Sequence, residues 1–193
     1  MGQNEQVTAP APFPKAPRGE FGYDPEEVDR ALRVARERYE NFDNGSGGKR
    51  LTAKSIRHTA FTMRKSGYSA PHVDAALERL EDAVAVRERE ERVAQLGQDA
   101  YLAETKDAAR AVLKRIQRPA GDRFQRVTAF QRGYSVAEVD EFCDRVDAFL
   151  RGKASMTLRE ARGVAFAPKR RGYEEGQVDL LIDALVDVML AIR

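Results

Sequence analysis

The side chains most able to do chemistry in this sequence are one thiol and two imidazoles, which belong to Cys143, His58 and His72. A catalytic thiol needs a neighbouring base, and no histidine lies near Cys143 in the sequence. We therefore expect Cys143 to be a buried or half-exposed structural thiol on a helix. Two histidines and one cysteine also fall short of a zinc ligand set, so we expect structural or surface roles for both histidines.

Three aspartates near the end of the sequence, Asp179, Asp183 and Asp187, are spaced four residues apart. On a helix this spacing places the carboxylates on one face, where they could bind a metal ion. No matching set of acids occurs elsewhere in the sequence. We therefore expect a solvated or arginine-paired face and no bound metal.

The segment DNGSGGKR (43–50) has the glycines and the lysine of a phosphate-binding loop. However, Asp43 stands where that motif has its first glycine, and Arg50 stands where it has the serine or threonine that binds magnesium. No strand pattern precedes the segment. We therefore expect a flexible linker and no nucleotide or other cofactor.

The overall composition narrows the function further. The 193 residues include 33 basic and 31 acidic residues, for a net charge of +2, so no dominant basic stripe predicts nucleic-acid binding. No convergent set of catalytic residues is found, so we expect neither enzyme activity nor a small-molecule substrate. No apolar run approaches the roughly 20 residues of a membrane-spanning helix, and the start lacks a signal peptide, so we expect a cytoplasmic protein.

The helices that carry these residues are preceded by a repeated motif. The motif consists of Gly-Tyr, four variable residues and Val-Asp, and it occurs four times. In the first copy Asp24 suits a helix N-cap and Glu27 the third position of a capping box. Tyr23 and Val28 have the spacing of a hydrophobic staple, and Gly22 suits the positive φ of a turn. The motif therefore predicts four helix starts.

The other copies follow the same scheme, with Ser135 and Glu138 as the capping box of the third copy and Ser69 as the cap of the second. In every copy we expect the tyrosine and the valine to pack together at the helix start. The residues assigned to this structural motif are Gly22, Tyr23, Val28, Gly67, Tyr68, Val73, Gly133, Tyr134, Val139, Gly172, Tyr173 and Val178.

Copies two and four carry an upstream segment that copies one and three lack. LTAKSIRHTAF (51–61) aligns with MTLREARGVAF (156–166), and Thr52 and Thr157 suit the N-caps of short helices. The order is short form, long form, short form, long form. This alternation predicts an internal duplication, whose halves meet between about residues 92 and 121.

We expect an all-α fold without a sheet, with four main helices plus two short ones. The helix pairs should meet in short coiled-coil-like seams, because their apolar residues follow a helical stripe only briefly. The expected divisions are a flexible tail at 1–17, a first repeat pair at 18–97, a helical connector and loop at 98–123, and a second repeat pair at 124–193.

The repeated segments resemble the DivIVA family of bacterial polar and septal scaffold proteins. LTAKSIRHTAF…SGYSAPHVDAALERL and MTLREARGVAF…RGYEEGQVDLLIDAL carry the resemblance to the family's N-terminal module. Copies one and three are similar to abbreviated repeats of actinobacterial proteins. The resemblance implies a short helix and a crossed loop that precede a parallel two-stranded coiled coil.

The resemblance also implies a non-enzymatic scaffold or adaptor in bacterial cell division, polar growth or envelope organisation, at the inner membrane surface. The alternative is a soluble helical protein–protein interaction module or regulator without membrane binding. Partners would be other proteins or further copies, which bind through helix faces, and the anionic membrane surface. The residues expected to contact membrane or partner are Phe21, Arg64, Lys65, Arg132, Lys169, Arg170 and Arg171.

Overall fold

A computed structural model of the chain describes residues 12–41 and 50–193. Its helices are α1 (Pro25–Glu40), α2 (Ala53–Arg57), α3 (Ala70–Leu96), α4 (Gln98–Ile116), α5 (Val136–Leu150), α6 (Leu158–Arg162) and α7 (Glu175–Ala191). Its strands are β1 (Phe21–Tyr23), β2 (Met63–Lys65), β3 (Arg132–Tyr134) and β4 (Pro168–Arg170). The fold is mainly helical, as the sequence predicts.

The expectation that the fold contains no sheet is wrong. Strand β1 pairs antiparallel with β2, and β3 pairs antiparallel with β4, so that two small two-stranded sheets form. Each strand has three residues, which is too short to show the alternating pattern of a strand. The partners of each pair are also far apart in the sequence, so the pairing leaves no local signal.

The four predicted helix starts are confirmed. Helix α1 begins at Pro25 after the cap Asp24, and α3, α5 and α7 begin directly after the corresponding residues of the other copies. The two short helices are also confirmed. Thr52 caps α2 in a capping box with Ser55, and Thr157 caps α6 in a capping box with Glu160.

Two predicted capping boxes are wrong. The Asp24 carboxylate accepts from the Glu26 amide, but Glu27 does not return to the cap. Instead its carboxylate accepts from the Thr62 amide at 2.7 Å. In the third copy the Glu138 carboxylate likewise accepts from the Ala167 amide at 2.7 Å, and Ser135 makes no side-chain cap bond. Both glutamates therefore hold a loop that lies about 30 residues or more along the chain.

The chain divides into two compact units, unit 1 (Met1–Ala85) and unit 2 (Val86–Arg193). The boundary lies inside α3, earlier than the predicted division at 97/98, because α4 packs against α5 and α7 as part of unit 2. Gly97, with φ +83°, separates α3 from α4. The connector predicted from the sequence is therefore largely a core helix of unit 2.

The buried core of unit 1 consists of two small clusters. Val28, Tyr68 and Val73 form the first, at the starts of α1 and α3. Ala35 and Val84 belong to the second, further along the same two helices. Because the clusters follow in the same order on both helices, α1 and α3 run side by side in the same direction.

The segment at 12–17, which the sequence analysis assigned to a flexible tail, contacts the first of these clusters. Phe13 packs against it. The Ser69 amide donates to the carbonyl of Pro14, and the Ala16 amide donates to the carbonyl of Gly67, both at 2.8 Å. Residues 1–11 of the predicted tail lie outside the described residues.

Unit 2 has one larger core, to which α4, α5 and α7 all contribute. Val112 and Ile116 of α4 are buried beside Val146 of α5 and Leu185 of α7. The Tyr101 hydroxyl of α4 also donates to the carbonyl of Ala191 at 3.2 Å. Helix α7, which after its first turn is apolar apart from three aspartates, therefore packs against α4 as well as α6.

Candidate functional site

The Gly-Tyr segments of copies one and two cross each other and exchange backbone hydrogen bonds. The Tyr23 amide donates to the Tyr68 carbonyl at 2.9 Å, and the Tyr68 amide donates to the Tyr23 carbonyl at 2.8 Å. Tyr134 and Tyr173 make the same exchange in unit 2, with both distances at 2.9 Å. The four copies of the motif therefore pair within one chain: copy one pairs with copy two, and copy three pairs with copy four.

The glycines are required by this close approach, and the predicted positive φ is wrong. None of the four motif glycines has a positive φ. A Cβ on Gly22 would lie 2.2 Å from the Tyr68 carbonyl oxygen, and a Cβ on Gly133 would lie 2.1 Å from that of Tyr173. No side chain fits at these separations, so only glycine allows the two backbones to cross.

Each motif tyrosine lies near the motif aspartate of the copy it crosses, and two of the four hydrogen-bond it. The Tyr68 hydroxyl donates to Asp29 at 3.3 Å, and the Tyr173 hydroxyl donates to Asp140 at 3.0 Å. In the reciprocal pairs, burial followed by the charge of Asp74 raises the pKa of Tyr23, and burial followed by the charge of Asp179 raises the pKa of Tyr134. The sequence predicts that the tyrosines are staples within one copy, whereas in the structure Tyr68 and Tyr173 also join two copies.

Burial keeps these tyrosines protonated. Burial and the nearby Asp140 carboxylate, against the opposing effect of the Arg123 amide, raise the pKa of Tyr173 to about 12. Burial, followed by the charge of Asp29, also raises the pKa of Tyr68. Both hydroxyls therefore remain hydrogen-bond donors at neutral pH.

An arginine supports the crossing in unit 2. The Arg123 guanidinium donates to the Asp140 carbonyl at 2.6 Å and to the Asp144 carboxylate at 2.5 Å. The Gly121 amide donates to the Asp140 carboxylate at 2.7 Å. In unit 1, by contrast, the Oδ1 of Asp29 is buried without a hydrogen-bond partner. The carboxylate of the motif aspartate therefore has more hydrogen-bond partners in unit 2, at Asp140, than in unit 1, at Asp29.

The phenylalanines that precede the short-form copies pack on the crossing. The Phe13 ring meets the Tyr68 ring edge-on at 5.5 Å, and the Phe124 ring meets the Tyr173 ring edge-on at 5.2 Å. Such contacts add stabilisation beyond the buried area. The shared phenylalanine of copies one and three therefore belongs to the crossing.

The tip of unit 1, next to its crossing, combines apolar and basic side chains. Phe21 lies across from Lys65 in the sheet, and the Lys65 ammonium sits 6.0 Å from the centre of the Phe21 ring. Phe21 and Met63 are about half exposed, at 55% and 49%. Arg64 is engaged by Asp24, with 3.1 Å between the guanidinium and the carboxylate.

The tip of unit 2 is more basic, and we define it by Phe130, Arg132, Lys169, Arg170 and Arg171. All five are exposed, and Phe130 reaches 97%. Arg132 lies directly across from Arg170 in the sheet, an arrangement of like charges that does not stabilise a strand pair. Ser135 occupies the position that Asp24 has in unit 1, so Lys169 lacks the carboxylate that Arg64 has.

Arg171 also has an unusual backbone. Its φ is +56°, in the left-handed region where glycine is preferred, and Ser66 at the equivalent position of unit 1 has φ +58°. Such a conformation costs a non-glycine residue of order 1 kcal/mol or more. Unit 2 thus carries a third consecutive cation at a position that suits glycine better.

Phe130 was missed by the sequence analysis. It lies in a turn closed by the Gln131 amide, which donates to the Thr128 carbonyl at 3.1 Å. The available signal was an aromatic residue two positions before a basic one, just upstream of Gly-Tyr. Phe130 lies two residues before Arg132, which pairs with Arg170 in the sheet of unit 2, and Phe21 pairs with Lys65 in the sheet of unit 1.

The remaining candidates for chemistry have structural positions. Cys143 is fully buried, and burial raises the pKa of its thiol to about 11. His72 is exposed, with its ring nitrogen 2.9 Å from the Ser69 hydroxyl, and His58 is an exposed residue at the end of α2. Nothing in this arrangement activates a nucleophile.

The three aspartates of α7 differ in how far they are buried. Asp183 is buried, at 7% exposure, so of the two predicted alternatives, a solvated or an arginine-paired face, the solvated one does not hold at this position. Asp179 and Asp187 are exposed. Of the predicted linker at 43–50, only Arg50 lies within the described residues.

Comparison with models of protein families, with curated proteins and with solved structures found no match. Within residues 12–41 and 50–193, no helix is both long enough and apolar enough to cross a membrane. The functional interpretation therefore depends on the geometry of the two tips and their crossings.

Proposed function

We propose that this chain is a non-enzymatic, DivIVA-like scaffold or adaptor in bacterial cell division, polar growth or envelope organisation. In this proposal it contacts the anionic inner face of the cell membrane through the tip of unit 2. The tip of unit 1, with Phe21, Arg64 and Lys65, makes a weaker second contact. The helices would then present their faces to protein partners on the cytoplasmic side.

The observation that carries the proposal is the basic cluster beside Phe130. Each Lys or Arg near an anionic bilayer contributes roughly 1 kcal/mol to binding. The phenyl ring adds apolar area that can enter the interface between headgroups and acyl chains. The face-to-face pair Arg132 and Arg170 and the left-handed Arg171 weaken the fold locally, and an external anionic surface would relieve the repulsion.

The crossed loops also support the DivIVA-like interpretation. The resemblance implies a short helix, a crossed loop and parallel helices, and unit 1 contains the short helix α2, the Tyr23–Tyr68 crossing and the parallel pair α1 and α3. Unit 2 contains the equivalent elements: α6, the Tyr134–Tyr173 crossing and the helices α5 and α7. In this interpretation each unit is a DivIVA-like module formed by two copies within one chain, and its parallel helices meet in a short coiled-coil-like seam.

Vesicle sedimentation of the purified full chain tests the proposal. We expect binding to vesicles that contain phosphatidylglycerol, weak binding to phosphatidylcholine vesicles, and loss of binding as salt is raised. Arg170→Glu and Phe130→Ser should each weaken binding by about tenfold. Phe21→Ser should have a smaller effect, because unit 1 carries fewer free cations at its tip.

The matched control is Lys106→Glu, which makes the same charge change on an exposed part of α4. It should leave vesicle binding nearly unchanged. Equal binding to neutral and anionic vesicles, or an equal loss in Lys106→Glu and Arg170→Glu, would contradict a specific tip contact. No binding at all would favour the alternative, an interaction module without a membrane role.

A further inference from the structure

An open groove of about 770 Å³ lies in unit 1 between α1, α2, the following loop and α3. Ala31, Ile56, Phe61 and Leu77 contribute to its apolar walls. Its volume falls within the range of protein sites that hold a ligand or an anchoring side chain. Unit 2 shows what such a groove accommodates, because the internal repeat supplies an equivalent for each wall.

In unit 2 the equivalent position is filled by a phenylalanine. Ala31 lies eight residues after Tyr23, and Phe142 lies eight residues after the equivalent Tyr134. Phe142 is only 3% exposed, and its ring meets the Phe166 ring edge-on at 5.8 Å. In unit 2 the Phe142 ring therefore fills the space that lies open beside the Ala31 methyl group in unit 1.

The aromatic neighbours of the groove show the same difference. Phe61 and Phe166 are equivalent, each seven residues before the tyrosine of its crossing. Phe61 meets the Tyr23 ring at 5.2 Å, as Phe166 meets the Tyr134 ring at 5.3 Å. Phe166 has Phe142 as a second ring partner, whereas Phe61 lines the open groove. The groove can therefore receive one aromatic ring against Phe61.

The rim of the groove is basic. Arg30 and Arg38 are exposed on α1 and line the groove, whereas their equivalents in unit 2 are Glu141 and Phe149. The acid on this rim, Glu27, is already engaged, because its carboxylate accepts from both the amide and the hydroxyl of Thr62. The cationic rim accompanies the open groove and is absent from the filled one.

We propose that the unit 1 groove binds a partner protein by an aromatic side chain carried on an acidic segment. The ring packs against Phe61 as Phe142 packs against Phe166, and the flanking carboxylates face Arg30 and Arg38. Aromatic anchors in desolvated pockets dominate many protein interfaces, and complementary charge orients them. This interaction is separate from the proposed membrane contact, which uses the crossing tips.

Fluorescence anisotropy with the full chain tests the proposal. The probe is a labelled seven-residue peptide with one phenylalanine between three acidic residues on each side. We expect saturable binding that weakens with salt. The same peptide with alanine in place of phenylalanine, and one with lysines in place of the acids, should each bind at least about tenfold more weakly.

The decisive variant is Ala31→Phe, which gives unit 1 the side chain that fills unit 2. It should abolish peptide binding while leaving vesicle binding unchanged. Arg30→Glu and Arg38→Glu should each weaken peptide binding by about tenfold, whereas the control Arg33→Glu, exposed on α1 and not lining the groove, should change it by less than about twofold. These exposed charge variants keep the test valid if Ala31→Phe fails to fold.

Three results would overturn the proposal. The first is the absence of peptide binding to the unmodified chain. The second is binding that persists in Ala31→Phe, or that weakens equally in Arg33→Glu and Arg38→Glu. The third is a concentration-dependent dimer, detected by light scattering, that Ala31→Phe dissociates, because the occupant would then be a second copy of this chain.

Discussion

Unit 1 and unit 2 build the same crossing and then support it differently. In unit 1 the crossing lies on two small buried clusters, one buried oxygen of Asp29 has no hydrogen-bond partner, and a groove remains open. In unit 2 it lies on one core that includes α4, with Arg123 around Asp140 and Phe142 in the equivalent space. The repeated motif therefore determines the crossing, while the surrounding residues determine how tightly it is held.

The two units also differ in where their charge lies. Unit 1 has an arginine-rimmed groove and a buried ion pair, Arg57 with Glu81, at 2.8 Å. Unit 2 has Val186 where Glu81 would be, and its cations gather at the tip. A duplicated unit has in this way acquired two different surfaces on the same backbone.

The largest effect is expected where the two units are most alike. Gly133→Ala should destabilise unit 2 by about 4–5 kcal/mol, because the new Cβ forces the crossed backbones apart. Gly22→Ala should have a similar effect on unit 1. Urea denaturation with hydrogen exchange at each crossing measures both.

Gly152→Ala is the control for the glycine substitutions. Its φ is +69° and nothing lies within 4 Å of its would-be Cβ, so it should cost only about 1 kcal/mol. A cost for Gly133→Ala no greater than this would mean that the crossing is not sterically constrained, and the shared feature of the two units would be lost.

Exchanging the residues at the groove position should change the free energy of unfolding of the two units in opposite directions. Phe142→Ala should lower the free energy of unfolding by about 3–4 kcal/mol, because it leaves a cavity beside Phe166. Ala31→Phe should raise it by about 1 kcal/mol, because it buries a ring against Phe61. Urea denaturation measures both changes. A loss of stability in Ala31→Phe would show that the two sites are not equivalent.

The motif aspartates should respond unequally to loss of charge. Asp140→Asn should cost about 2–3 kcal/mol, because both carboxylate oxygens accept hydrogen bonds, from the Gly121 amide and the Tyr173 hydroxyl, and an amide group would set a donor against one of these donors and remove the charge that lies 3.7 Å from Arg123. Asp29→Asn should cost less than about 1 kcal/mol, because no described arginine depends on Asp29 and Asn retains an acceptor for Tyr68. Equal costs, measured by urea denaturation, would mean that the arginine in unit 2 contributes little.

The smallest effect concerns the helix caps. Ser135→Ala should change stability by less than about 0.5 kcal/mol, because the Ser135 hydroxyl is buried without a partner. Asp24→Ala should lower the melting temperature, because Asp24 caps α1 and pairs with Arg64. A larger loss in Ser135→Ala than in Asp24→Ala would reverse this part of the comparison.

The Asp24 effect should also depend on pH. Partial burial raises the pKa of Asp24, but the Glu26 amide and Arg64 outweigh this, so the folded-state pKa lies below its ordinary value. The stabilisation is therefore present above the unfolded-state pKa and is lost as the pH falls through the folded-state pKa. The difference in melting temperature between Asp24→Ala and the unmodified chain should disappear in acid. A difference that persists there would exclude a charge effect.

Most helices were predictable because their signals are local. The N-caps at Asp24 and Ser69 and the capping box at Thr157 lie within a few residues of the helices they start. The internal repeat could also be predicted from the spacing of Gly, Tyr, Val and Asp. The functions of Glu27 and Glu138 were not predictable. Both residues suit a local capping box equally well, and only the approach of a distant loop gives them a different partner.

The candidate site was predictable in part. The cations of the tips adjoin Gly-Tyr in the sequence, so the motif located them. Phe130 was missed, because its exposure depends on a turn that departs from the sheet. The groove beside Ala31 could not be seen at all, since an alanine on a helix gives no sign of the space next to it.

The sequence alone determined the repeat and the helix starts. Only the tertiary structure decided that each Gly-Tyr faces another Gly-Tyr, which is why glycine is required there, and that each tyrosine lies near the aspartate of the copy it crosses. The reason is physical: caps and amphipathic stripes act within one or two turns of a helix. Crossings, clashes and cavities arise between segments that are 40 or so residues apart in the sequence, as Tyr23 and Tyr68 are.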